Sequence, residues 1–325
     1  MPGTGMGHVE FTLHNALTHW EWSAFPLSML ALLVAVAVWY LRADWSLAAR
    51  GRRWPGGRTA AFMAGLVSID IALQSPVAAF TGSYFQAHVI QHLVLMAVAP
   101  PLLALGAPST LLLQTAGRRT KQRWIALLRS RPFAALSHPI TAWFLYFGLM
   151  VAFFLTPLVN VAMNHMALMD FLNLTFFFGG TLYWWPMIGN DPIMHGRMGH
   201  GARMLNILLG SGVEAFLGVA ILANVHPIAS MYNLASTHAG GALLWTSTEV
   251  VTLAAFVPIY LQWMRSEDRA GARADRDAAA AEARDPSAPP RPPVIRELSE
   301  WELAWIARTG SVPLQGGPAP RHDQG

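Results

Sequence analysis

The sequence contains no cysteine and few charged residues. The absence of cysteine from all 325 residues excludes disulfide bonds, CxxC thiol exchange and thiolate-based copper chaperone chemistry. Charged residues make up 12% of the chain and hydrophobic residues 54%, whereas a soluble domain averages about 25% charged residues. This composition predicts a protein that spans a membrane.

Long apolar runs fill most of the chain. They are continuous rather than alternating, which predicts helices and argues against a membrane barrel. Seven runs reach the length that spans a bilayer: 25–41, 59–80, 84–106, 140–158, 167–186, 204–226 and 241–264. We therefore predict an all-α polytopic membrane protein, in which a bundle of seven transmembrane helices (25–264) follows an extracytoplasmic segment that contains histidines (1–24).

The 22 basic residues are confined to alternate loops. They lie between spans one and two, three and four, and five and six, and after span seven; the first 41 residues and the other loops hold none. The positive-inside rule then predicts an outer N-terminus and a cytoplasmic C-terminus. We expect a multi-pass protein of the bacterial plasma membrane whose basic loops contact anionic lipid, with no nucleic-acid partner.

The composition changes after Met264. Residues 265–325 predict a mostly disordered cytoplasmic tail, because Ala, Arg, Asp and Pro dominate 265–293. Apolar residues at helical spacing within 294–308 predict one short amphipathic helix. We expect this helix to lie on the inner membrane surface, with docking to a partner as the alternative.

Eight of the twelve histidines fall on the predicted outer side. His88 and His92 enter span three from that side one helical turn apart, and Met96 continues the stripe at i+8. Imidazoles are costly in hydrocarbon. The pair therefore indicates either a metal site or a hydrogen-bonded contact between helices.

Other helices supply further candidate ligands on the same side. Imidazole with thioether suits Cu(I), and imidazole with carboxylate suits Cu(II) or Zn, so we predict copper as the bound metal. The predicted ligands are His88, His92, His165, Met166, Met169 and His238. Supporting polar or intramembrane groups are predicted at Asp70, Met96, Asp170, Glu214, His226 and Glu249. Glu249 is expected to face the bundle interior beneath His238, because a carboxylate in lipid is costly.

Three motifs carry a family resemblance. HVIQHLVLMAVAPPLLALGAP (88–108) resembles the span-three signature of the seven-span CtaG-type cytochrome c oxidase assembly factors. FFFGGTLYWWPMIGNDP (176–192) and AGGALLW (239–245) are further matches, and the resemblance extends over about residues 20–264. It implies a non-catalytic membrane factor that helps to assemble haem–copper oxidase and handles copper for it, with oxidase subunits as partners.

Three other functions stay open at this point. A copper or proton transporter needs polar groups that continue to the cytoplasmic side. A b-type haem protein needs histidines on two facing helices, because His88 and His92 project from one face of one helix. A membrane enzyme is the weakest alternative, since no nucleophile–base arrangement or cofactor loop is visible.

Overall fold

The protein is helical throughout its membrane region. The structure, a computed structural model, describes residues 12, 14, 18–188, 191 and 198–284. These residues form helices joined by turns and include no β-strand. The prediction of an all-α fold is therefore confirmed for the described part of the chain.

Each predicted apolar run coincides with a helix or with a broken helix. The first two runs form α1 (Ala24–Ala48), α2 (Gly56–Gln74) and α3 (Pro76–Phe80). The third is the most interrupted: α4 (Phe85–Leu93), a π-helical segment (Val94–Val98), α5 (Ala99–Leu105) and α6 (Pro108–Thr115). The remaining elements are α7 (Arg118–Leu128), α8 (Arg131–Leu136), α9 (Pro139–Leu155), α10 (Leu158–Met163), α11 (Met166–Ile188), α12 (His200–Leu222) and α13 (Leu234–Arg284).

Within the described residues, five helical stretches are long and apolar enough to cross a membrane: Ala24–Ala48, Gly56–Phe80, Phe85–Thr115, His200–Leu222 and Leu234–Ala281. The apolar helix α9 has 17 residues, which is short for a crossing. Helix α11 has 23 residues but carries Asp170 and Asn173. These helices support the prediction of a membrane protein, while seven crossings and the orientation stay predictions.

Loops that the charge pattern assigns to one side contact one another. At the end predicted to face outward, called the outer end below, the Glu21 amide donates to the Gln74 carbonyl and the Tyr232 hydroxyl to the Thr81 carbonyl. Burial raises the pKa of Tyr232 well above its ordinary value, so its hydroxyl stays a donor. At the opposite, inner end, the polar contacts include Tyr40 with Gly106, Thr59 with Asp44, and Asp191 with Ser109 and Thr110.

Span three lies at the centre of the bundle. Helix α5 packs between α2 and α11, and the π-helical segment contacts the same two helices. The outer end of α13 also reaches span three, because the Ser236 hydroxyl accepts a hydrogen bond from the Phe85 amide (2.8 Å). Spans three, five and seven therefore converge, which a shared site between them requires.

The start of the tail is helical. Helix α13 continues to Arg284, whereas the composition predicts a disordered linker from residue 265. Alanine and arginine are strong helix formers. The first proline after residue 265, which would end a helix, is Pro286. Residues 267–284, the described part of the chain after Ser266, belong to a unit separate from the membrane region. The predicted amphipathic helix at 294–308 and residues 1–11 lie outside the described residues.

Candidate functional site

His88 and His92 form a buried pair on α4. Their Nε2 atoms are 2.7 Å apart, and the two residues are only 1% and 3% exposed. The contact follows from helix geometry, because residues four apart lie on one face, one turn above the other. The pair predicted from the spacing is therefore present.

Phenylalanine rings enclose both imidazoles. Phe153 lies parallel to the His88 ring, with a centroid distance of 5.5 Å and an interplanar angle of 2°. Phe176 lies 4.3 Å from the His92 ring. The complete enclosure, called the phenylalanine box below, consists of Phe85, Phe153, Phe154 and Phe176, all buried. Such walls exclude water, so polar atoms inside must be satisfied by each other or by a ligand.

The pair does not satisfy its own hydrogen-bonding groups. Neither Nδ1 atom has a hydrogen-bond partner among the described residues. If neutral His88 and His92 share one Nε2 proton, the accepting ring must carry its own proton on Nδ1, which leaves a buried donor unpaired. An unsatisfied buried donor costs about 1–3 kcal/mol. A pair retained only as a packing contact would carry this cost without any gain in stability.

The pair is close to the geometry of a metal chelate. Two Nε2 atoms that bind one ion at about 2.0 Å in tetrahedral geometry lie about 3.3 Å apart. The observed separation of 2.7 Å suits a hydrogen bond, and a small opening of the rings would turn it into a chelate.

Two methionines lie beside the pair. A void of about 10 Å³, close to the volume that one small guest needs, is lined by His92, Met96, Tyr146 and Met150 among others. Met96 lies in the π-helical segment Val94–Val98, which begins two residues after His92. Such segments occur often at functional sites. We call His88, His92, Met96 and Met150 the His–Met centre.

A buried carboxyl lies on the inner side of this centre. The Tyr146 hydroxyl donates to Glu214 Oε1 over 3.5 Å, and the Thr248 hydroxyl lies beside the same carboxyl. Tyr183 stacks on Tyr146 at 4.7 Å. Glu214 is therefore buried among hydroxyl groups, as its placement within an apolar helix predicts.

The other predicted ligands do not join the pair. His165 and His226 are exposed, and His238 donates from Nε2 to the Asn224 carbonyl (2.9 Å). Met166 and Met169 line a different cavity at the outer end. Among the described residues, no group of three or more His, Asp or Glu side chains lies close enough to hold one ion. The remaining carboxylates, Asp70 and Asp170, therefore complete no such group with the pair either.

The predicted orientation of Glu249 is wrong. Glu249 is exposed, whereas Gly240, Leu244 and Thr248 are buried at four-residue steps along the same helix. Close contacts fix this rotation, since a Cβ atom at Gly240 would lie 2.2 Å from the Phe85 ring. Residue 249 is about 100° further around the helix, on the outward face.

Sequence reasoning missed Met150 and Tyr146. Both lie in the strongly apolar helix α9, where a methionine reads as ordinary core. Their spacing of four residues places them on one face, but it does not identify the helix that this face meets. Only the contact with span three makes them candidates.

Comparison with known proteins identifies related sequences. The family model for the cytochrome c oxidase caa3 assembly factor (Caa3_CtaG) matches residues 38–266, which include the His–Met centre. An uncharacterized protein of Mycobacterium bovis and one of Mycobacterium tuberculosis are each 30% identical over 285 residues. One of Mycobacterium leprae is 29% identical over 268 residues.

These relatives are much longer than this chain. The aligned regions cover 82%, 82% and 76% of this chain but 42%, 42% and 40% of the respective relatives. No solved structure matches the chain. The family model nevertheless matches more than half of the chain, and the chain belongs to the caa3-type cytochrome c oxidase assembly factor (Caa3_CtaG) family.

Proposed function

We propose that this protein is a non-catalytic assembly factor of the bacterial plasma membrane that holds Cu(I) at the His–Met centre and passes it to cytochrome c oxidase subunits. The observation that carries the proposal is the enclosed imidazole pair, whose two Nε2 atoms face each other 2.7 Å apart. A bound ion would take the place of the shared proton and use the Nε2 lone pairs of both rings, beside a void lined by two thioethers.

The chemistry of the centre favours the monovalent ion. Imidazole and thioether are the protein ligands that suit Cu(I), whereas harder divalent ions prefer carboxylate and water oxygens. All four side chains can bind as neutral groups, and the phenylalanine box offers no water. A single positive charge is therefore easier to accommodate there than a double one.

Copper binding to purified full-length protein in lipid nanodiscs tests the proposal. Under anaerobic conditions, Cu(I) is titrated against a chromogenic Cu(I) chelator with the wild type and with His88→Leu/His92→Leu. Loss of a group that only supports a metal ligand weakens metal binding by ~10–100-fold. The His88→Leu/His92→Leu variant loses the ligands themselves, so its Cu(I) affinity should fall by more than this. Met96→Leu/Met150→Leu conserves volume and should weaken Cu(I) binding as well. Unchanged binding in both double variants would refute the proposal.

Two control variants separate this effect from a general loss of folding. His200→Leu removes an imidazole from the inner end of α12, and Glu249→Gln removes an exposed carboxylate. Both should bind Cu(I) like the wild type. In cells, the imidazole-pair variant should leave the oxidase with less copper, while the controls should not.

Reconstituted vesicles distinguish this role from transport. The polar groups that follow the centre, Tyr146 and Glu214, are the ones that a transporter would use. We expect the reconstituted protein to bind Cu(I) without accumulating it in the lumen. Accumulation that Glu214→Gln abolishes would identify a transporter instead.

A further inference from the structure

The outer end of the bundle holds a second group of soft ligands, separate from the His–Met centre. We propose that Met163, Met166 and Met169, with the carboxylate of Asp170, form a Cu(I) capture site. Binding of Cu(I) at this place does not depend on the proposed function, and only the onward delivery of the ion rests on it.

A real cavity brings these side chains together. It measures about 90 Å³ and is lined by all four residues, by the start of α1, and by parts of α2, α3 and α4. One water needs about 10–15 Å³ of such space, so an ion with part of its hydration shell fits. The break between α10, which ends at Met163, and α11, which begins at Met166, allows three methionines at three-residue spacing to share one cavity.

The three thioethers run from the surface into the protein. Met166 is 50% exposed, whereas Met169 and Met163 are 8% and 5% exposed. This gradient suits an ion that is first met at the surface and then held more deeply.

Two residues that line this cavity carry oxygen atoms without partners. Asn173 lines it and is 6% exposed, yet its Oδ1 has no hydrogen-bond partner among the described residues. The Asp170 carboxylate, half-buried, likewise makes no hydrogen bond or ion pair within the described part of the chain. A buried carbonyl oxygen left in this way is costly, and a bound cation or its water would satisfy it.

The surrounding charge favours a cation. Glu21 adds a second carboxylate to the cavity lining, and the sequence has no lysine or arginine in any loop at this end. Three thioethers exclude Mg²⁺ and Ca²⁺, which require oxygen ligands, and select a soft ion. The chemistry thus specifies Cu(I), with Ag(I) as its redox-inert analogue.

The decisive experiment counts Cu(I) equivalents in the full-length protein in nanodiscs under anaerobic conditions. The test variant is Met163→Leu/Met166→Leu/Met169→Leu, which conserves side-chain volume. Met187→Leu, a buried methionine of α11 outside this cavity, is the matched control. We expect two equivalents in the wild type and in the control, and one in the triple variant, with fewer sulfur neighbours in its copper X-ray absorption spectrum.

The outcomes separate this site from the His–Met centre. If only the His88→Leu/His92→Leu variant loses an equivalent, the centre holds and the capture site is refuted. If only the triple variant loses one, the capture site holds and the centre is refuted. A wild type that binds no Cu(I) overturns both.

A footprint on the folded wild type gives a second test that needs no variant. Ag(I) should protect Met166 from oxidation, as read by mass spectrometry, and should leave the oxidation of the exposed Met264 unchanged. Equal oxidation of Met166 with and without Ag(I) would count against the site.

Discussion

The carbonyl oxygen of Met96 lies directly against the backbone of Gly180. A Cβ atom at position 180 would be 2.6 Å from this oxygen and 2.9 Å from the Met96 Cα. The close approach matters because position 96 belongs to the His–Met centre. Pro100 contributes to it, since proline has no amide hydrogen to donate to the carbonyl four residues before it, and the Met96 oxygen is left facing α11.

Gly180→Ala should therefore push α11 away from span three. The atoms in the way are backbone, so the contact cannot relax through a side chain, and overpacking of this kind costs about 1–3 kcal/mol. The matched control is Gly179→Ala, where the added Cβ meets nothing within 4 Å and should stabilise the helix by about 0.5–1 kcal/mol. Thermal unfolding in nanodiscs measures both effects. Equal stability of the two variants would contradict the close contact.

Replacing the imidazole pair should make the empty protein more stable. In His88→Leu/His92→Leu, apolar side chains of similar size fill the phenylalanine box, and the unpaired Nδ1 donor disappears. We expect a gain of about 1–2 kcal/mol without copper. Added Cu(I) should raise the unfolding temperature of the wild type. It should not raise that of the His88→Leu/His92→Leu variant in which the outer methionines are also replaced by Leu. A large loss of stability in the copper-free variant would instead identify the pair as a structural contact.

The pair and Met96 on the same span could be predicted from the sequence, but the partners on other helices could not. Helix geometry alone brings positions 88 and 92 together, whatever the rest of the fold does. Which residue of another helix faces them depends on how that helix is rotated about its own axis. Glu249 illustrates this limit of sequence-based prediction. Thr248 is buried at the inward position, and the next residue, Glu249, lies about 100° further around the helix and is exposed.

Two local features also lie beyond a periodicity argument. The π-helical segment after Leu93 changes the register of span three, so a constant 3.6-residue repeat cannot give the positions that follow it. His165 lies in the two-residue break between α10 and α11, where the sequence shows only an interruption between apolar runs. The break directs the His165 side chain outward and allows Met163, Met166 and Met169 to share one cavity.

Asp191 should make stability depend on pH. Its carboxylate accepts hydrogen bonds from the Ser109 amide (3.1 Å), the Thr110 amide (2.7 Å) and the Thr110 hydroxyl (2.6 Å). Burial outweighs the opposing effect of these bonds and raises the pKa of Asp191 above its ordinary value of 3.8. A carboxyl whose pKa is raised by folding costs stability while it is ionised, and that cost disappears as the pH falls through the folded pKa towards 3.8.

The wild type should therefore gain stability relative to Asp191→Asn as the pH is lowered from neutral to mildly acidic values. The asparagine variant cannot titrate at this position, so the difference between the two unfolding curves isolates the carboxyl. Asp191→Ala should be about 1–3 kcal/mol less stable at neutral pH, because it leaves the amide donors of Ser109 and Thr110 without this acceptor. A pH-independent difference between the wild type and Asp191→Asn would show that the carboxyl has the same pKa in the folded and unfolded protein.

The orientation of the bundle can be tested by single-cysteine labelling, since the natural chain has no cysteine and every label is unambiguous. Positions at loop centres such as Thr81 and Ser236 are buried and would resist a reagent on either side. Val225 at the outer end and Gly117 at the inner end are exposed, and a Cβ at position 117 meets nothing within 4 Å.

A membrane-impermeant maleimide should label Val225→Cys in intact cells, and Gly117→Cys only after permeabilisation. The positive-inside rule gives this direction, because six basic residues lie between Arg118 and Arg131 and none lies near Val225. Labelling of Gly117→Cys alone in intact cells would invert the bundle, and the methionine cavity would then open to the cytoplasm rather than to the side from which we propose that copper arrives.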